Sequence, residues 1–242
     1  MEILSEVWRR ATSSQPAPGP AVVVCSALLA LVLVAHPKAW LLTRMLVTIT
    51  HEGGHAVAAL LVGRRLRGIR LHSDTSGLTV SAGRPTGAGM VATLLAGYLG
   101  PALVGLGAVA LLLSGHALGL LWLFLLLLAL MLLQIRNLYG VAVVVLTAGA
   151  LFALSWYASA ATQTGVATLL AWLLLLAAPK PVAELARQHR AGRAPHSDAS
   201  QLSRLTRLPV ALWITLFGLA NLAGLLTGTA LLMPALAHLL AS

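Results

Sequence analysis

Acidic residues are scarce in this chain: its 242 residues include six Asp and Glu against sixteen Lys and Arg, and charged residues make up only 9%. A composition so poor in charge, with 59% hydrophobic residues, excludes a soluble globular domain and indicates a membrane protein with several spans. The formal net charge of +10 does not predict nucleic-acid binding, because no supporting aromatic pattern or nucleic-acid motif accompanies it.

Cysteine is nearly absent as well, since Cys25 is the only one. A single cysteine excludes an intrachain disulfide and a metal site built from several thiolates. Any metal site in this chain must therefore use His, Asp or Glu side chains.

Long apolar runs are what the chain does have. A helical span needs about 20 apolar residues, and the runs predict an all-α polytopic membrane protein with about seven transmembrane helices. The predicted spans are residues 21–35, 39–63, 88–113, 117–135, 138–156, 165–178 and 210–232. Arg9 and Arg10 precede the first run as in a secretory signal, but no small-residue cleavage site follows before Ala35, so the run is predicted to be retained.

The basic residues predict the orientation of these spans. With a cytoplasmic N-terminus, fourteen of the sixteen Lys and Arg residues fall on the cytoplasmic side, which is the positive-inside rule. We therefore expect one integral domain, 1–242, in the plasma or inner membrane and in contact with its lipid bilayer. The N-terminal segment 1–20, a polar loop 64–86 and a basic loop 179–208 are all predicted to be cytoplasmic.

The loop 64–86 carries the pattern of a β-hairpin. Apolar Ile69 and Leu71 alternate with polar residues, as do Leu78 and Val80, and a turn-like Ser-Asp-Thr-Ser-Gly stretch separates the two runs. The free edge of such a hairpin would accept an extended peptide as an added strand. The alternative is a surface hairpin that binds no peptide.

Residues 51–55 read His-Glu-Gly-Gly-His within the second predicted span. Each ionisable group at lipid depth costs roughly 2.5–3.5 kcal/mol on insertion scales, so three together indicate a compensating metal. His51 and His55 share a helix face at i and i+4, and Glu52 is turned about 100° away, within reach of a metal-held water. The alternative is a polar helix-packing cluster without metal.

A catalytic zinc site usually takes a third protein ligand. The remaining candidates are Asp74, Glu184, Asp198, His72, His116, His189, His196 and His238. His116 and His238 fall on the far face, whereas Asp198 begins the segment leading into the last span and is best placed. Its alternative role is a helix N-cap. Glu184 is the next candidate, with pairing to Arg187 as its alternative.

Two further polar residues are candidates for supporting roles. Thr48 lies three residues before His51 on the same face and is a candidate for a hydrogen bond that supports a metal ligand. The alternative is a bond to its own helix. Asn137 is a candidate for binding substrate backbone or an oxyanion; the alternative is a polar residue that ends a span.

Four short motifs together resemble one protein family. The chain shows His51-Glu52-Gly53-Gly54-His55-Ala56, Gly97-Tyr98-Leu99-Gly100, Arg136-Asn137 and Ser197-Asp198-Ala199. This set resembles the site-2 protease family of intramembrane zinc metalloproteases, in its small peptidase-like branch. The resemblance implies zinc as cofactor, Asp198 as third ligand and Glu52 as the catalytic base. The Asp-Gly pair of the better-known members does not occur in this sequence.

Three functions follow as hypotheses. The first is a zinc metalloendopeptidase that hydrolyses peptide bonds of an unidentified membrane-protein substrate with metal-activated water. The second is a catalytically silent, metal-binding membrane scaffold of the same fold. The third is a cation transporter, which the scarcity of acidic residues in the other predicted spans disfavours. The sequence predicts no nucleic-acid partner and gives no oligomeric state.

Overall fold

The computed structural model describes residues 2–234 of the chain. Helices α1 to α3 and a two-stranded hairpin come first, followed by seven more helices. Their bounds are α1 Glu2–Ala11, α2 Pro20–Ala35, α3 Pro37–Leu61, β1 Arg65–Leu71, β2 Gly77–Ala82, α4 Ala88–Leu113, α5 Ala117–Leu132, α6 Leu138–Tyr157, α7 Ala160–Ala177, α8 Pro179–Arg190, α9 Asp198–Thr206 and α10 Val210–Leu232. The helical class and the hairpin after α3 confirm the predicted fold.

The number of helices able to span a membrane singly is smaller than predicted. Among the described helices, four qualify by length and composition, namely Ala88–Leu113, Leu138–Tyr157, Ala160–Arg190 and Val210–Leu232. The pair α2 and α3 qualifies only together, bent by 104° at a break, and α5 is a shorter apolar helix. At 16 residues, α2 is only about 24 Å long, less than the hydrocarbon thickness of about 30 Å.

The helical bundle has two ends, and the N-terminal segment lies at the end away from the hairpin. The 26-residue α4, about 39 Å long, separates the hairpin at its start from Gly115 after its end. The Gln15 amide donates to the Gly115 carbonyl over 2.7 Å, and Arg10 Nη1 donates to the Trp156 carbonyl over 3.0 Å. We call the hairpin end the site end and the other the opposite end.

The prediction that segment 1–20 and the hairpin share one side of the membrane counts α2 and α3 as two crossings. In the structure the bent pair runs from the opposite end to the site end, which favours a single crossing. The short α2 packs along α7, and the carbonyl of Val34 near its end accepts a hydrogen bond from Lys180 Nζ. The α3 helix then turns away and ends at the hairpin.

The predicted loop 179–208 is also mostly helical. α8 continues α7 past Ala178, which keeps helical backbone angles, so Ala160–Arg190 forms one 31-residue helix. Pro179 lies at the junction, where α8 starts after Ala178, and proline fits the first turn of a helix because no amide donor is needed there. Only residues 191–197 and 207–209 remain irregular, on either side of α9.

Glycines allow α3 and α4 to pack closely beside the predicted site. A Cβ atom at Gly100 would approach the Thr50 carbonyl oxygen to 2.8 Å, and one at Gly54 would overlap the Ala96 carbonyl. Gly53 faces open space instead. Close helix packing is thus the role of Gly54, and Gly53 leaves the other flank of the helix open.

The hairpin is fastened to the bundle along one edge. β1 and β2 pair antiparallel, with Ile69 opposite Thr79 and a register irregularity between Leu66 and Gly68. On the other edge of β1, the Ile69 amide donates to the Gln134 carbonyl over 2.8 Å, and the Arg136 amide donates back to the Ile69 carbonyl over 2.9 Å. Within the described residues, β2 is therefore the outer strand.

Candidate metal centre

Three donor atoms converge where α3 faces the start of α9. His51 Nε2 and His55 Nε2 lie 3.1 Å apart, and Asp198 Oδ2 lies 3.3 Å from the first and 3.2 Å from the second. In a tetrahedral zinc site with bonds of about 2.0–2.1 Å, neighbouring ligand atoms are about 3.3 Å apart. The triangle therefore has the dimensions of one face of a zinc coordination sphere, and two imidazoles with one carboxylate are donors that zinc accepts.

The imidazole of His55 is oriented by a hydrogen bond from behind. Its Nδ1 lies 2.7 Å from the carbonyl oxygen of Thr93 in α4, so Nδ1–H donates to that carbonyl and Nε2 is directed at the centre. Gly97 provides the room: a Cβ there would overlap His55 Nε2 and lie 2.8 Å from His51 Cε1.

The imidazole of His51 is held by aromatic contacts. Tyr98 meets it edge to face with ring centroids 4.8 Å apart, and the Tyr98 ring stacks in turn on Phe217 of α10. The two imidazoles are also nearly perpendicular, with their centroids 4.7 Å apart. The ring of Tyr98 thus links α10 to the metal centre.

Asp198 reaches the imidazoles because its neighbour caps the helix. The hydroxyl oxygen of Ser197 accepts the Ser200 amide over 3.3 Å as the N-cap, so the Asp198 carboxylate is not needed there. Burial would raise the pKa of the Asp198 carboxyl, but hydrogen bonds and charge from His51 and His55 outweigh it and hold that pKa well below its usual range. The lowered pKa favours the ionised carboxylate, which is the form that binds a metal.

Glu52 is buried beside the triangle and held by the hairpin. Its side chain is only 4% exposed, and its Oε2 accepts a hydrogen bond of 2.6 Å from the Thr79 hydroxyl in β2. A Cβ at Gly77 would lie 2.5 Å from Glu52 Oε1, so glycine is needed where β2 passes the carboxylate. No described residue donates a hydrogen bond to Oε1, which leaves one oxygen for a water or a substrate.

A cavity of about 420 Å³ opens on these groups. Its walls come from the helices α3 and α4, the strand β2 and the start of α9. They include the predicted ligands and Glu52 together with Arg64, Thr79, Tyr98 and His196. The volume is sufficient for an extended peptide segment of a few residues.

A model of the Peptidase M50B-like family matches residues 24–228, which is most of the chain. The chain belongs to the Peptidase M50B-like family. This assignment confirms the resemblance to the site-2 protease family and agrees with a membrane metalloprotease architecture. No curated protein and no solved structure matches the chain.

The other candidate ligands of this M50B-like chain lie elsewhere. Glu184 pairs with Arg44 over 3.1 Å and accepts the Trp40 indole N–H over 3.1 Å, so it is a partner neither for the metal nor for Arg187. Asp74 closes the hairpin turn by accepting the Ser76 amide and hydroxyl, which lowers the pKa of its carboxyl.

The remaining histidines also stay apart from the triangle. His72 contacts Ser76 in the hairpin turn, and His116 contacts Ser114 at the opposite end. His196 lines the cavity, whereas His189 belongs to the last turn of α8. His238 lies outside the described residues. Within 2–234, the group able to hold an ion is His51, His55 and Asp198.

Thr48 and Asn137 both form hydrogen bonds with the hairpin. The Thr48 hydroxyl donates to the Thr75 carbonyl over 2.7 Å in the hairpin turn. The Asn137 amide pairs with the backbone of Leu71 in both directions, donating over 2.7 Å and accepting over 3.2 Å. Both side chains therefore fasten the hairpin rather than contact the triangle.

The sequence analysis did not identify the roles of four residues that contribute to the site. Gly97 and Tyr98 belong to the Gly-Tyr-Leu-Gly motif. Gly97 makes room for the imidazoles and Tyr98 packs against one of them, and both roles become visible only in the contact between α3 and α4. Thr79 has no local signal beyond its alternation in β2. The role of the Thr93 carbonyl cannot be read from the sequence, because every residue has a backbone carbonyl.

Proposed function

We propose that this M50B-like chain is an intramembrane zinc metalloprotease that hydrolyses peptide bonds of a membrane-protein substrate. The observation that carries the proposal is the convergence of two imidazoles and a carboxylate within 3.1–3.3 Å, beside a buried Glu52 in an open cavity. Families of this kind include inactive members, so catalysis itself is the part to be tested.

The residues divide into binding and proton-transfer roles. His51 and His55 would hold zinc through Nε2 and Asp198 through Oδ2. When bound, zinc would supply Lewis acidity, which lowers the pKa of a water towards neutrality and polarises a carbonyl. Asp198 also brings negative charge, which partly offsets the charge of a divalent ion at this depth.

Glu52 would act as the general base and then as the general acid. Its Oε2 is fixed by Thr79, so Oε1 would accept the proton of the attacking water and later return it to the leaving amine. Since Glu52 is buried next to β2, a substrate bound along that strand would carry its scissile carbonyl within reach.

The outer edge of β2 is the proposed place for the substrate backbone. A helical peptide hides its carbonyl groups, so the substrate must be extended before hydrolysis. The β1 edge is already paired with residues 134–136, whereas β2 lines the cavity from Gly77 to Ser81. An extended peptide added to this edge would gain backbone hydrogen bonds while it passes the metal centre.

We also propose that the site end faces the cytoplasm of the cell membrane. Eleven arginines lie at this end, at positions 64, 65, 67, 70, 84, 136, 187, 190, 193, 204 and 207, while only Arg9 and Arg10 lie at the opposite end. This distribution follows the positive-inside rule.

The deciding experiment compares the wild type with Glu52→Gln, both purified in detergent with zinc. The amide cannot accept a proton, so cleavage of a membrane-anchored model substrate should fall about 100-fold or more while bound zinc stays at one ion per chain. Asp198→Ala should lose both zinc and cleavage.

The alternatives give different results in the same experiment. A silent scaffold would bind zinc in the wild type without any cleavage that depends on Glu52. A cation transporter would carry zinc into liposomes at a rate that depends on His51. Either outcome would overturn the protease proposal.

A further inference from the structure

Arg64 is a positively charged side chain in the wall of the catalytic cavity. It lies between α3 and β1, is half-buried, and its guanidinium is braced by the end of the hairpin. Nε donates to Ser81 Oγ over 3.0 Å, Nη2 to the Ser81 carbonyl over 3.5 Å, and Nη1 to the Arg84 carbonyl. A guanidinium has five N–H groups, so two remain, one on each terminal nitrogen.

No acidic side chain of the described residues is paired with Arg64. Glu6 binds Arg9 and Arg10, and Glu184 binds Arg44. The other described carboxylates are Asp74 in its turn, Glu52 on Thr79 and Asp198 on the imidazoles. A half-buried, pre-oriented guanidinium with two available donors favours an incoming carboxylate, which it binds with charge-assisted hydrogen bonds.

The distance from Arg64 to the reaction centre is set by the strand. Along β2, Thr79 is hydrogen-bonded to Glu52, and Ser81 is hydrogen-bonded to Arg64. Two residues of an extended strand span about 6.7 Å. A peptide paired with the edge of β2 has the same repeat, so its residue two or three positions from the scissile bond would lie beside the guanidinium.

We propose that Arg64 forms an acidic subsite that selects Asp or Glu two or three residues from the scissile bond of the substrate. The inference rests on the proposed protease function and on the β2 edge as the substrate site. Antiparallel pairing with β2, which is the more stable arrangement, places this acidic residue on the N-terminal side of the bond.

The test uses zinc-loaded, full-length protein in detergent and a peptide library with a fixed apolar anchor. Eight positions after the anchor are randomised, and all C-termini are amidated so that side chains supply the only carboxylates. Cleavage positions are read by mass spectrometry for the wild type, Arg64→Glu and Arg67→Glu. Arg67 is exposed on the same hairpin and does not line the cavity, so its variant is the matched control.

We expect the wild type to favour acidic residues roughly tenfold at the stated distance. Arg64→Glu should lose this preference and favour Lys or Arg at the same position, while Arg67→Glu keeps the wild-type pattern. Equal cleavage patterns in wild type and Arg64→Glu would overturn the subsite while leaving the protease intact. Absence of Glu52-dependent cleavage from every variant would instead overturn the proposed function.

Discussion

The absence of a side chain at Gly97 allows the imidazoles of His51 and His55 to lie close together. Gly97 sits under both rings, and its neighbour Tyr98 braces one of them, so two adjacent residues of α4 set the position of ligands that belong to α3. The coordination geometry is thus a property of the contact between the two helices.

Gly97→Ala tests this dependence. The added methyl group would overlap the His55 ring and displace both imidazoles, so we expect bound zinc to fall below one ion per chain and cleavage to drop about 100-fold. Metal analysis and turnover of the purified variant measure the two effects. Gly107→Ala is the matched control, because Gly107 lies in the same helix with open space around it and should keep both properties.

At the residue scale, the sequence predicted the part of the site that is local. His51, Glu52 and His55 lie within two turns of one helix, where spacing alone determines which side chains share a face. Asp198 was the best-placed candidate of several, and only its tertiary position separates it from a helix cap. Thr48 and Asn137 were assigned to the site because their backbone partners in the hairpin could not be foreseen.

At the scale of elements, the hairpin is the part of the site that must be held in register. Thr48 fastens its turn to α3, Asn137 fastens β1, and Thr79 of β2 holds Glu52. A shift of one residue would turn Thr79 away from the carboxylate, since successive strand residues face opposite sides.

Asn137→Ala removes the two side-chain hydrogen bonds to Leu71 and should loosen the hairpin without removing a ligand. Each bond contributes about 1 kcal/mol, so amide hydrogen exchange at Leu71 should accelerate roughly tenfold or more. Cleavage should fall while bound zinc is unchanged. Thr215→Val, which alters a hydroxyl bonded only within α10, is the control. Loss of zinc with unchanged exchange would place Asn137 in the metal centre instead.

Elements with regular patterns were predicted well, and those that depend on neighbours were not. Alternation of apolar and polar residues identified β1 and β2. In β1 the apolar residues Ile69 and Leu71 are buried, whereas in β2 Leu78 and Val80 are exposed and the polar Thr79 faces Glu52. The stretch 179–190 was predicted as a loop from its prolines and charges. In the structure it is helical, and its polar residues have partners: Glu184 forms an ion pair with Arg44, and Lys180 donates a hydrogen bond to the Val34 carbonyl. Those partners lie on α3 and α2, far away in sequence.

At the scale of the whole molecule, the broken helix α2–α3 determines which end of the bundle each neighbouring segment occupies. It carries the chain once between the two ends of the bundle, so the N-terminal segment and the hairpin lie at opposite ends. Counting apolar runs could not detect this, because each half contains enough hydrophobic residues to be taken for a span.

Cysteine labelling in intact membranes tests this topology. Cys25→Ser provides a cysteine-free background, into which Ala17→Cys or Ser73→Cys is introduced at exposed positions of the N-terminal segment and the hairpin turn. The N-terminal segment contacts Gly115 after the end of α4, whereas the hairpin precedes the start of α4. A membrane-impermeant maleimide should therefore label one position in sealed right-side-out vesicles and the other only in inverted vesicles. By the distribution of arginines, position 73 should be the one labelled from the cytoplasmic face. Labelling of both positions from the same face would mean that α2 and α3 cross the membrane separately.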